Sequence, residues 1–434
     1  MSPELAGPER DIVVACLAGD EPGAYNIPVF LRFDEAVDIP RLVTAAEAVI
    51  GASPALRAAY TRRGRVVERT RAAVPARVER LRAHPGELYA VAASRRIEVL
   101  DPTLVRAAVV ELDPPHPVHL FVNLHHAIAD GMSLNLLLRA ILDAYLTGDV
   151  TVLTGPASAT ADQKGRGPTG LVPATQLPAT QVSATKVPAQ AATLDPWAAD
   201  PGSSGRFLAA LAARRDPAAA PSVTERTIQG RGIRTFADSL AAFVPVFAGW
   251  LGVEEVVVST ALAGRSIRDL RTIGNFVRLQ PLALPADGST DYDDLARRLA
   301  IASAGPVPAP APLDPRSRAA GVSVVFDYKR ESLIARRVHP GIAAHVVADE
   351  GYRDVKYDLH ISLYQCGATQ QATVTARDIA PAAIADLLAA YADRLTAAPA
   401  PSAPVPSVPS GASRATASTI ESAHEPEEAL RACC

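Results

Sequence analysis

The chain has 434 residues, of which 48% are hydrophobic and 21% charged, and its formal net charge is -3. That length suits two or three ordinary domains or one large two-lobed unit, with ample apolar material for a core. The near-neutral balance argues against a nucleic-acid binder, which carries a basic face, and no apolar run reaches the roughly 18 uncharged residues of a membrane span.

Met1-Ser2-Pro3-Glu4-Leu5 lacks the basic and apolar regions of a signal peptide. Cys16, Cys366 and the terminal pair Cys433-Cys434 form neither a disulfide framework nor a zinc-ligand spacing, so a reducing cytoplasm is expected. The terminal pair lies in no C-a-a-X box.

A short amphipathic stretch at Arg10–Leu17 opens the chain, and Tyr25–Phe33 reads as a strand. Asp38-Ile39-Pro40 is a helix start, with Asp as N-cap and Pro in the first turn; Leu42, Ala45, Ala46 and Val49 follow at helical spacing. Ala55–Tyr60 reads as a strand, with Val66-Val67 as its hairpin mate. A helix near Glu87–Ser94 and a strand at Leu104–Leu112 come next. Val118–Val122 is an apolar run of β-formers, and Leu134–Leu142 reads as a helix with Ser133 as N-cap.

Residues 149–205 break this pattern with Pro, Ala, Thr, Gln and Ser in near-repeats, which reads as a mobile low-complexity linker. Structure resumes with a helix at Thr235–Leu251 containing Pro245, a strand at Glu255–Thr260 and a loop from Ala263 to Phe276. A helix at Tyr292–Ala302, strands at Val322–Tyr328, Tyr357–Tyr364 and Ala372–Ala376, and a helix at Pro381–Thr396 complete the pattern. The expected organisation is an N-terminal lobe over 1–148, the linker, a C-terminal lobe over 206–396 and a disordered Pro/Ser/Ala-rich tail over 397–434.

The chemistry-bearing stretch is Asn123–Ser133, which places His125, His126, Asp130 and Gly131 where a strand ends and a helix begins. Four readings compete. The histidines can be satisfied structural residues. They can bind metal, although side chains alternate along a strand, so His125 and His126 point apart, and His116 and His119 complete no ligand pattern. A Ser-His-Asp hydrolase lacks its Gly-x-Ser-x-Gly elbow. The last reading is acyl transfer without a protein nucleophile. One histidine then holds the turn and the other faces a cleft as base or hydrogen-bonding group, while Gly131 offers a backbone N–H to a carbonyl oxygen.

His125-His126-Ala127-Ile128-Ala129-Asp130-Gly131 resembles the HHxxxDG signature of nonribosomal peptide synthetase condensation domains and their acyltransferase relatives. Ala24–Pro28 resembles their first-strand entry, Ser53–Tyr60 their "RHExLRTxF" block, Val256-Val257-Val258 followed by Gly264-Arg265 and Ile273–Val277 their second-lobe strand and "GxFVN" block, and Tyr357–Leu363 their "FDLxLS" strand. Ala52-Ser53-Pro54, Met132 and Arg278 depart from the usual residues, and the later "QDYPFE" and "RDxSRNPL" blocks are not recognisable.

The resemblance implies an α/β (α+β) fold of two chloramphenicol-acetyltransferase-like lobes in a V with a tunnel between them. It implies that His126 is the catalytic residue, supported by His125, Asp130 and Gly131. Asp130 would pair with an arginine, Arg57 being the first candidate and Arg278 the second, and Gly274, Asn275 and Phe276 would line the tunnel. It further implies a freestanding enzyme acting in trans, since the chain shows no adenylation core and no carrier-protein attachment block. The donor would be an acyl or aminoacyl thioester on the phosphopantetheine arm of a carrier protein, and the acceptor a small-molecule amine or alcohol. No metal or bound cofactor, nucleic acid or membrane is implied. An O-acyltransferase using coenzyme A or polyketide thioesters and a catalytically silent recruiting module are the alternatives. Such modules tend to lose the second histidine, which is present here.

Overall fold

In the computed structural model the described residues are 7–18, 23–155, 201–303, 323–329, 337–347 and 355–397, apart from 64, 65, 73, 231, 233, 267 and 268. Residues 156–200 of the expected linker, the Pro-rich 305–315 and the tail from 398 lie outside them.

The first sheet grows from a run that is apolar on both faces. Strand β6 (His119–His125) is buried at every position, as expected of a strand covered on two sides. It pairs antiparallel with β1 (Asn26–Phe33) and with β5 (Val105–Leu112). Beyond β5 lies β4 (Val78–Ala83), parallel to it. The charged alternation Val-Glu-Arg-Leu-Arg-Ala hides β4 in the sequence. Alternation divides the sheet's side chains between two cores. Val29, Leu31, Phe33, Leu120 and Val122 join the larger one, beneath helices α2 (Ile39–Ala52) and α4 (Gly131–Thr147). Phe30 and Phe121, with ring centroids 4.9 Å apart, face the smaller one under α3 (Leu88–Ala93).

The expected helix start at Asp38 is present, with its carboxylate accepting the Arg41 N–H and Pro in the first turn. Pro54–Arg57 forms a 3-10 turn rather than strand, and the hairpin is β2 (Ala58–Arg63) with β3 (Val66–Arg71).

The second sheet has the order β7-β14-β13-β10-β8-β9. Its members are β7 (Ser222–Gln229), β8 (Glu255–Leu262), β9 (Arg278–Pro285), β10 (Val324–Lys329), β13 (Leu359–Cys366) and β14 (Thr369–Ala376). Leu359, Ile361 and Leu363 pack with helices α6 (Phe236–Leu251) and α8 (Pro381–Ala397) in one core. The intervening His360, Ser362 and Tyr364 point to the other face. Helices α1 (Gly7–Ala18), α5 (Pro201–Ala212) and α7 (Tyr292–Ser303) are the other α-helices among the described residues.

One boundary needs correction. Residues 206–396 do not all belong to a C-terminal lobe, because β11 (Arg337–His339) and β12 (Ile342–Val347) pair into the first sheet, β12 antiparallel to β1. β1 would otherwise be an edge with unpaired N–H and C=O groups. A second interlock comes from the loop after β8, whose Ile273 is fully buried in the first lobe's core and whose N–H donates to Thr154 O at 2.8 Å. The helix α5 starts at Pro201, inside the span expected to be linker.

Candidate active site

The strand β6 runs through His125, three residues beyond the expected end, and a turn at 126–128 leads into α4. The N-cap of α4 is Asp130, not Ser133. Its backbone is extended and its Oδ1 accepts the Ser133 N–H at 2.9 Å. The preference for Asp at the cap over an interior Ser explains the three-residue shift.

Asp130 also holds the two lobes together. Its partner is Arg265, neither Arg57 nor Arg278. The Arg265 Nε donates to Asp130 Oδ2 at 3.1 Å and Nη2 to Oδ1 at 2.6 Å, with the two side chains 3% and 2% exposed. This is the fork geometry that suits guanidinium to carboxylate. Arg265 Nη1 donates to the carbonyls of Asp269 and Thr272 at 2.7 and 2.8 Å, and the Phe276 ring lies 4.2 Å from the guanidinium. Gly264, at φ +60°, takes the left-handed backbone that turns the chain into Arg265. Ser133 Oγ lies 2.9 Å from Asp130 Oδ1, from Gly274 O and from Arg265 Nη2, and accepts the Gly274 N–H at 3.1 Å. The Phe276 N–H reaches Asp130 Oδ2 at 3.3 Å.

Arg57 clamps its own hairpin instead: Nη2 donates to Ala72 O at 3.1 Å, and the Ala72 N–H returns to Arg57 O at 2.7 Å. Arg278 opens β9 opposite Leu262, and its side chain makes no hydrogen bond or ion pair among the described residues. The sequence assigns Arg265 no role beyond its place after Gly264, because a contact spanning 135 positions carries no local signal.

The two histidines occupy different environments. His125 is fully buried. Its Nδ1 accepts the Ala127 N–H at 3.2 Å, so the neutral ring carries its proton on Nε2, which faces Cys16 Sγ at 3.7 Å. Burial, helped by the charge of Lys356, pulls its pKa down to about 4, against a small opposing pull from Asp101.

His126 keeps part of its surface open while lying deep in the protein mass. Its N–H donates to Tyr25 O at 2.7 Å, continuing the β1–β6 pairing. The Nδ1 atom is buried without a hydrogen-bond partner among the described residues, and the backbone carbonyls of His126 and Ala129 act weakly on the ring. Nε2 is neither enclosed nor bonded among the described residues. Burial first and Lys356 second bring the pKa of His126 down to about 3, so near neutral pH the ring is an uncharged acceptor.

Gly131, the first residue of α4, is exposed, and a Cβ there would meet nothing within 4 Å. Gly274 is buried against Ser133, while Asn275 and Phe276 are half-buried beside the Asp130–Arg265 pair. Asn275 Oδ1 accepts the Val277 N–H at 3.1 Å, and its buried Nδ2 has no partner among the described residues. Two further residues were missed: Lys356, with its Nζ 4.4 Å from the Tyr25 ring centroid, and His360, whose Nε2 lies 3.2 Å from Ser362 Oγ. Both lie in or beside the Tyr357–Leu363 stretch, where only the strand was legible. Among the described residues no group of three or more His, Cys, Asp or Glu is placed to hold a metal ion, and no helix is long and apolar enough to cross a membrane.

Two interlocked α/β lobes, with a paired histidine turn beside an aspartate–arginine latch between them, define the condensation-domain fold. Residues 12–153 match the sequence pattern of the Condensation domain, and the likeness to solved structures below extends the fold over the second lobe. One of the plipastatin synthase polypeptides of Bacillus subtilis (strain 168) is 29% identical over 128 residues, 29% of this chain and 3% of that protein. The chain is similar to holo-AB3403, a four-domain nonribosomal peptide synthetase bound to AMP and glycine. That match has a TM-score of 0.61 at 13% identity and covers 92% of this chain and 33% of the other. It is also similar to the epimerization domain from the third module of tyrocidine synthetase B, with a TM-score of 0.59 at 14% identity over 91% of this chain and 97% of the other. The chain thus spans a small part of the synthetases it matches, and the fold is shared by domains with different reactions.

Proposed function

We propose that this protein transfers an acyl or aminoacyl group from a carrier-protein thioester to an amine or hydroxyl acceptor, with His126 as the catalytic residue, in the cytoplasm and acting in trans. The observation that carries this reading is the open Nε2 of His126: a neutral imidazole nitrogen, deep in the protein yet reachable, with no partner among the described residues to satisfy it.

The depressed basicity shapes the mechanism. An imidazole with a pKa of about 3 does not strip a proton from an ammonium ion. The acceptor amine therefore enters neutral, and Nε2 orients it through an N–H hydrogen bond. As nitrogen bonds to the thioester carbon, the carbonyl electron pair moves to oxygen and the N–H becomes acidic. His126 then takes that proton. Collapse of the tetrahedral species expels the thiolate, which recovers the proton from the imidazolium. The role is positioning first and proton transfer second. Removing a group of this kind costs roughly 100- to 10,000-fold in rate.

His125, bonded to Cys16 and Ala127, supports by fixing the turn. Asp130 acts through Arg265 and Ser133 and touches no substrate. The phosphopantetheine arm belongs to the carrier, so the residues here need only accept it past Gly131. The retained, open His126 favours turnover over a silent recruiting role. The test is a donor screen with product identified by mass spectrometry. Carrier-loaded thioesters are expected to give product above the corresponding coenzyme A thioesters. Turnover from coenzyme A donors alone would replace this reading with an O-acyltransferase, and none from either would sink it.

A further inference from the structure

Lys356 is an ammonium group in the protein interior that has no acidic partner among the described residues. It lies before β13, with its Nζ 4.4 Å from the Tyr25 ring centroid and 5.1 Å from that of Tyr357. No hydrogen bond or ion pair reaches it from the described residues. Aromatic faces attract a cation but replace a carboxylate only in part.

Its place relative to His126 follows from the strands. The His126 N–H donates to Tyr25 O at 2.7 Å, one step beyond the Asn26–His125 pair. Directly opposed residues on antiparallel strands share a face. The ammonium packs on the ring of the residue whose carbonyl holds the His126 backbone, and its charge acts on the His126 imidazole. From the second lobe, the His360 ring meets Tyr357 edge-on at 5.6 Å. Like His126, Lys356 and His360 keep some open surface while lying deep in the protein.

Among the described residues the groups around Lys356 offer it no anion. Burial pushes the Cys16 thiol up to about 12 and raises the Tyr25 and Tyr357 phenols. Burial holds the His125, His126 and His360 imidazoles neutral. Two carboxylates act on this cluster from outside and are engaged elsewhere: Asp101 with Arg106 at 2.8 Å, and Asp327 with Lys329 at 2.9 Å. Arg377, the other cation acting on Tyr25, donates to Val355 O. Among the described residues Lys356 thus faces an uncharged set of groups, and burial draws its own basicity down. An arriving negative charge would restore the balance.

We propose that Lys356 supplies the positive charge of the acyl-transfer site and takes the negative charge that builds on the thioester carbonyl oxygen when the acceptor attacks. This rests on the acyl-transfer reading above. No covalent bond to lysine forms: the ammonium keeps its protons and releases the oxyanion as the carbonyl re-forms and the thiolate leaves.

The experiment is single-turnover acyl transfer from a loaded carrier protein by the full chain, comparing wild type, Lys356→Met and Lys356→Arg. Losing one oxyanion-stabilising group lowers the rate roughly 100- to 1,000-fold, so a loss of that order is expected for Lys356→Met, with KM changed by less than about 3-fold. Lys356→Arg should recover at least about tenfold of it, because the charge returns. A pantetheine phosphonate, which mimics the tetrahedral anion, should bind wild type and Lys356→Arg more tightly than Lys356→Met. The melting temperature of Lys356→Met should match or exceed that of wild type, separating lost charge from lost fold. Near-wild-type rates in an active Lys356→Met would overturn this proposal alone, as would phosphonate binding indifferent to the substitution. A wild type inactive with every thioester would overturn the acyl-transfer reading and this with it.

Discussion

Arg265 grips Asp130 through two hydrogen bonds of 3.1 and 2.6 Å, joining the second lobe's loop to the N-cap of the helix that follows the histidine turn. One carboxylate thus caps α4, anchors the loop and fixes where the turn bearing His126 ends. Both charges are buried, so each needs the other.

Asp130→Ala should lower stability by about 3–5 kcal/mol, because it strands the Arg265 guanidinium in the interior. Arg265→Met should cost a comparable amount, and the double variant less than the sum. Denaturant unfolding measures this. Unchanged midpoints in both single variants would contradict the latch.

Ser133→Ala removes a hydroxyl that contacts Asp130, Gly274 and Arg265 at 2.9–3.1 Å. The orphaned Gly274 N–H is buried, so a loss of about 1–3 kcal/mol is expected. Additivity with Asp130→Ala would show that the three groups do not act as one network.

Gly131→Ala separates fold from function. The added Cβ meets no protein atom within 4 Å and the backbone needs no left-handed angle. Stability should hold or rise by roughly 0.5–1 kcal/mol. Acyl transfer should fall about tenfold or more if the thioester occupies that space. Full activity would mean that the donor passes elsewhere.

The histidines also set a pH dependence of stability. His125 and His126 have folded pKa values of about 4 and about 3, below the unfolded value of 6.5. Between those limits the unfolded chain binds more protons, so stability is complete above about pH 6.5 and declines as pH falls. For His125, fully buried, the loss is roughly 3 kcal/mol at most. Urea unfolding at pH 7 and pH 4 should show the decline, and His125→Gln should lessen it. A flat profile would contradict neutral burial.

Much of the first lobe was legible because its signals are local. Asp38-Ile39-Pro40 starts α2 as read, and Leu42, Ala45, Ala46 and Val49 are its buried positions. The histidine turn was placed correctly between strand and helix, and the alternation of His125 and His126 matches one enclosed and one open ring. What failed depends on distant partners. β4 is masked by surface charges, and β11 and β12 cross to the other lobe's sheet to cover β1. Asp130 finds its arginine 135 positions away, whereas Arg57 is held by its own hairpin. Lys356 was invisible because nothing in a sequence marks a lysine that folds inward with no carboxylate partner among the described residues.

The most direct test of the central claim is single-turnover acyl transfer from a loaded carrier protein by wild type and His126→Ala, each checked for an intact melting transition. A loss of roughly 100-fold or more with the fold retained is the predicted result. Product formation near the wild-type rate would contradict the assignment of His126 as the catalytic residue.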